Sequence, residues 1–113
     1  MRAEPMTVVS YYLVLLQPGP TAADADWEEH EAFIDLMVEH NVVLLGGEFG
    51  SPVGGAVGAY LLHTATRSEA ESWARKDPVV RDGWMSPEII EWRLVGINPR
   101  AIEASLVAAV RST

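Results

Sequence analysis

VVLLGGEFGSPVGGAVGAYLLHTA, residues 42–65, decides the fold of this 113-residue chain. Its two ends, VVLLGG (42–47) and AVGAYLLHTA (56–65), are apolar and read as buried strands, while EFGSPVGG (48–55) between them carries the glycines and the proline of a loop. Two such strands joined by a short glycine-containing loop form a hairpin. The hairpin sits mid-chain, with a strand–helix unit before it and a helix–strand unit after it.

Before it, VVSYYLVLL (8–16) is an almost unbroken apolar run, the pattern of a strand covered on both faces. QPGP (17–20) marks a turn, and DADWEEHEAFIDLMVEH (24–40) changes to helical periodicity. Asp24 or Asp26 is placed to cap that helix, Glu28 and Glu29 suit its dipole, and Asn41 ends it. After the hairpin, Ser68 and Glu71 have capping-box spacing and open a second helix running to about Lys76. DPVVRDG (77–83) is a connection with room for one helical turn. PEIIEWRLVGI (87–97) then alternates, with Ile90, Trp92 and Leu94 facing one way and Glu91 and Arg93 the other. The order βαββαβ is that of the α+β ferredoxin-like fold, an antiparallel sheet with both helices on one face. Asn98-Pro99 opens an extra C-terminal helix. The expected layout is one domain over 1–113, with a core at about 8–97 and an extension at about 98–113. Strand one is too apolar to leave the second sheet face wet, so a homodimer through that face is expected.

Composition removes several functions. Sixteen acidic against 8 basic side chains give a net charge of −8, which repels polyanions and argues against nucleic-acid binding. With no cysteine there is no disulfide, thiolate nucleophile or cysteine-held metal. No apolar run reaches the roughly 20 residues of a membrane span, and the first residues lack a leader-like pattern, so a cytoplasmic protein is expected. His30 and His40 lie roughly 15 Å apart along one helix and cannot share a metal ion. With no HExxH motif either, no metal is expected. The glycines, Gly46 and Gly47 among them, lack the order and the strand–loop–helix setting of a phosphate loop, and no nicotinamide or flavin is implied.

His30 is the residue that looks most like chemistry. It falls in line with Trp27, Phe33, Ile34 and Met37 on the apolar side of the first helix. An imidazole, with an ordinary pKa of about 6.5, takes and returns protons near neutrality. The plain structural alternative is a core histidine bonded to a backbone carbonyl. Asp77 precedes Pro78, where aspartate commonly caps a helical turn opened by proline. The same carboxylate can also hold an imidazole in one tautomer and stabilise its charged form. A pocket between helix one and the sheet is expected to use Tyr11, Phe33, Gly46 and Trp84, with backbone N–H groups of Gly46 or Gly47 turned to a small ligand. Glu48 is a weaker candidate for a second acid. Trp27, Trp73 and Trp92 are read as core or interface residues.

YYLVLL, the helix carrying His30, VVLLGGEF, and SEAESWARKDPVVRDG leading to Trp92 together resemble the YciI-like (YCII-related) family over about residues 8–97. The resemblance implies a dimeric α+β barrel with two ferredoxin-like sheets facing each other. It also implies an active site built from the helix histidine and the DP aspartate, here His30 and Asp77. Relatives with an assigned activity imply acid–base lyase or isomerase chemistry, such as dehydrochlorination, on small oxygenated rings. The functional expectation is therefore a small enzyme moving protons with a His–Asp pair. The alternatives are a non-catalytic homodimeric metabolite-binding or accessory module, or a His–Asp contact that only ties the DP turn to the first helix.

Overall fold

The computed structural model describes the backbone of residues 9–112 and the side chains of 10–106. Val8, placed by the sequence at the start of the first strand, and residues 1–7 and 113 lie outside the described residues. The elements are β1 (Val9–Pro18), α1 (Trp27–Glu39), β2 (Val43–Val53), β3 (Ala56–Leu62), α2 (Arg67–Lys76), α3 (Pro78–Arg81), β4 (Met85–Leu94) and α4 (Pro99–Ser112). A short 3-10 turn at Ala22–Asp24 precedes α1. The strands form one antiparallel sheet in the order β2-β3-β1-β4, so the expected ferredoxin-like βαββαβ arrangement with an added C-terminal helix is the observed fold.

Register fixes the two sheet faces. Tyr12 pairs with Leu62, Val14 with Tyr60 and Leu16 with Gly58. The five larger side chains of these pairs pack with Phe33 and Met37 of α1, Ala70 and Ala74 of α2, and Val79 of α3, which puts all three helices on one face. Full burial of a side chain such as Met37 contributes about 1.5–3 kcal/mol. The alternate residues Tyr11, Leu13 and Leu15 point to the other face and are only partly covered. The nearly unbroken apolar run of β1 thus has one face in the core and the other only partly covered.

Asp26, the second of the two expected capping residues, starts α1 by accepting hydrogen bonds from the N–H groups of Glu28 and Glu29, both at 3.1 Å. Asn41, with φ at +56°, turns the chain away at the far end in the left-handed conformation common after a helix C-cap. α2 begins earlier than the Ser68–Glu71 spacing suggests. Thr66 is the cap, its hydroxyl accepting from Glu69 N–H at 3.1 Å, while the Glu69 carboxylate accepts from Ala65 N–H at 3.2 Å. The sequence T-R-S-E offers the same cap-to-glutamate spacing two residues upstream, and the longer helix also gains the Arg67–Glu71 pair at 3.1 Å.

The expected loop at 48–55 contracts to two residues. β2 continues to Val53, which pairs with Ala56 around Gly54 and Gly55, with φ of +57° and +87°. Positive φ at both central residues is the geometry of the tight hairpin turn whose twist suits its strands. Pro52 is tolerated because β2 is an edge strand.

Residues Ser10–Trp92 make one compact unit, and the chain from Arg93 onward belongs to a second. Within the latter, α4 carries Pro99 at its first turn and exposes Ile102 and Leu106. Among the described residues no helix is long and apolar enough to cross a membrane.

Candidate active site

Asp77 stands where α2 ends and α3 begins, serving both as the C-cap of one and the N-cap of the other. Pro78 keeps it out of helical geometry, as expected for a residue before proline. Its carboxylate is fully buried and receives donors from three elements. Val79 N–H donates at 3.2 Å, the Tyr60 hydroxyl of β3 at 3.3 Å, and His30 Nδ1 of α1 lies 2.9 and 2.8 Å from the two oxygens. An ionised carboxylate only accepts, so the geometry requires the proton on His30 Nδ1. Nε2 is then left as the acceptor.

Tyr60 secures the arrangement. Burial raises its phenol well above the ordinary tyrosine range, and the Asp77 charge and hydrogen bond push it the same way. Both influences favour the protonated phenol, the form that donates to Asp77. Because its folded-state value is raised, unfolded chains ionise first as pH climbs past about 10, and the stability present below that point is lost above it. Denaturant titrations are expected to show unfolding free energy falling by up to about 1.4 kcal/mol per pH unit above pH 10 more steeply in the native protein than in Tyr60→Phe. Equal slopes would contradict this.

His30 has 14% of its side chain exposed and meets Trp27 edge to face, with ring centroids 5.3 Å apart. Both line a cavity of about 930 Å³ bounded by α1, the 3-10 turn before it, β2 and β3, with Leu16 and Pro18 of β1 and Met85 of β4. Gly46, also in the lining, lets β2 pack closely on β3: a Cβ there would come within 2.9 Å of Tyr60 Cβ and 3.2 Å of the Ala59 carbonyl oxygen.

Of the residues expected to form a site, the structure brings His30 and Asp77 into contact and puts Gly46, Gly47 and Glu48 in the cavity lining with His30. Three others lie elsewhere. Tyr11 is on the opposite sheet face, its ring 5.3 Å from that of His63, because strand alternation turns Tyr12 rather than Tyr11 toward the helices. Phe33 is buried in the core against Trp73. Trp84 packs partly buried at the core edge, its carbonyl accepting from Gly19 N–H at 2.9 Å. His40 lies beside Trp73, and among the described residues no cluster of histidine and carboxylate side chains could hold a metal. Tyr60 went unnoticed in the sequence. A tyrosine within the aliphatic stretch GAYLL needs a partner for its hydroxyl once buried, and that was the available signal.

The fold and the buried His–Asp pair define a ferredoxin-like α+β domain with a histidine-lined cavity. The same fold occurs in 5-chloro-2-hydroxyhydroquinone dehydrochlorinase from Burkholderia phenoliruptrix AC1100, solved in complex with 2,5-dihydroxybenzoquinone. The two chains are 16% identical, with a TM-score of 0.55 over 73% of this chain and 92% of that one, a likeness of fold. No curated protein matches the chain at a significant level. Residues 10–93 match the model of the YCII-related domain, and the chain belongs to that family.

Proposed function

We propose that this protein is a small enzyme that moves a proton on a small oxygenated or aromatic compound, by elimination or isomerisation, with His30 as base and acid. The observation that carries the reading is the His30–Asp77 contact at 2.8 Å beside a cavity of about 930 Å³. In an elimination, Nε2 takes a C–H proton while that bond's electrons form the new double bond and the leaving group departs with its own pair. In an isomerisation, the imidazolium returns the proton to another atom of the same ligand. Asp77 orients the ring throughout and offsets the positive charge that the ring gains. The dehydrochlorinase of the same fold lends support by analogy, since loss of hydrogen chloride is such an elimination.

Incubation with a panel of hydroxylated and chlorinated small rings in D2O, followed by proton NMR, tests the proposal. Deuterium entry or elimination catalysed by the native protein supports it. Binding at His30 without any exchange would instead favour a metabolite-binding module, and no response to any compound would contradict both.

The proposal includes a homodimer formed through the sheet face away from the helices. Ile90 and Trp92, 40% and 49% exposed, alternate on β4 with the core-facing Met85 and Ile89, and Leu13 and Leu15 of β1 are only partly covered. Light scattering is expected to give the mass of two chains, and Trp92→Glu to shift it toward one. A native protein with the mass of one chain would contradict the dimer.

A further inference from the structure

The charges around the cavity say what kind of ligand suits it, an argument that rests on the cavity being the ligand site. α1 lends it two rows of residues, Trp27–Glu31–Asp35 and His30–Ile34–Val38, each spaced so that its members lie one above the other. β2 adds Glu48. Among the described lining residues there is no lysine or arginine. Their absence follows from the sequence: no lysine or arginine occurs between Arg2 and Arg67, and every lining residue except Met85 comes from that stretch. Arg81 reaches α1 but is held by Glu29 at 3.5 Å and Asp82 at 3.0 Å, off the lining.

Glu31 and Asp35 are like charges four residues apart, an arrangement that weakens a helix, and neither joins an ion pair among the described residues. Beside them stands the half-exposed indole of Trp27, whose π face attracts cations. The buried carboxylate of Asp77 adds negative charge behind His30.

We infer that this site takes a positively charged small molecule, a protonated amine carried on an apolar or aromatic body, in preference to neutral or anionic compounds of the same shape. Glu31, Asp35 and Glu48 set that preference by their summed field, and Trp27 supplies the surface on which the cation rests. The three carboxylates are exposed, so salt screens their effect, and discrimination is of the order of tenfold rather than thousands.

Three probes of one shape test this on the intact protein: para-hydroxybenzylamine, para-hydroxybenzyl alcohol and para-hydroxybenzoate, titrated by NMR at the His30 imidazole and Trp27 indole signals. The amine is expected to bind about tenfold more tightly than the benzoate, with the alcohol between them. The gap should narrow in about 0.5 M salt and largely close in the combined Glu31→Gln, Asp35→Asn, Glu48→Gln variant. A benzoate or alcohol that binds as tightly as the amine, or a gap that survives the triple substitution, overturns the charge preference while leaving the site in place. If none of the probes perturbs His30, the ligand site itself is refuted and the preference with it.

Discussion

Replacing Asp77 with alanine is expected to lower the unfolding free energy by about 3–5 kcal/mol in urea denaturation. The change removes one carboxylate but orphans three donors, His30 Nδ1–H, the Tyr60 hydroxyl and Val79 N–H. Each buried donor left without a partner costs about 1–3 kcal/mol, and α3 loses its cap as well. The losses overlap, so their simple sum is an upper bound. Domains are commonly stable by about 5–15 kcal/mol, which makes this a large fraction of the total. Tyr60→Phe gives the scale for one member of the network: it leaves Asp77 two donors and is expected to cost about 1 kcal/mol. A loss below about 1 kcal/mol for Asp77→Ala would mean that the network is not formed in solution.

The second large effect is on chemistry. His30→Ala is expected to slow the deuterium exchange or elimination found with the compound panel by about 10²–10⁴-fold, the usual contribution of a positioned acid or base. Alanine also leaves the Asp77 carboxylate short of its strongest donor, so part of the loss would reflect altered structure. His30→Gln separates the two, because its amide N–H can still donate toward Asp77 while offering no group able to take a proton near neutrality. The glutamine variant should recover most of the stability and none of the rate. If it keeps the native rate, the pair is an architectural tie and the proton is moved elsewhere.

The parts of the fold that the sequence revealed are those set by local chemistry. The change from the unbroken VVSYYLVLL to the helical spacing after Asp26 marks β1 and α1, and Asn41 and Asp77-Pro78 mark ends that the structure keeps. Where two local signals compete, tertiary context decides. Thr66 and Ser68 both have an acidic residue three positions on, and the cap falls on the earlier one. Gly50, Ser51 and Pro52 look like a loop, yet pairing with β3 draws the strand through to Val53.

The site follows the same division. His30 and Asp77 carry signals in their own neighbourhoods, an apolar helical row and a proline-capped turn, whereas their meeting depends on the β3 scaffold between them. Tyr11 is expected in the pocket, but strand alternation turns it to the face away from the helices, because on a strand one residue reverses the face. Trp84 suggested a pocket wall because a large ring in a connection is unexpected. It serves the core edge instead, with its backbone tied to Gly19.

The state of the His30 ring is the most direct measurement of all. Long-range nitrogen–proton NMR correlation on labelled protein should find the neutral His30 ring with Nδ1 protonated and Nε2 bare, the tautomer that Asp77 imposes. The Nε2 resonance alone should respond when a ligand enters the cavity. A ring protonated at Nε2, or one whose nitrogens ignore both Asp77→Asn and every ligand, would contradict the pairing on which the proposed chemistry stands.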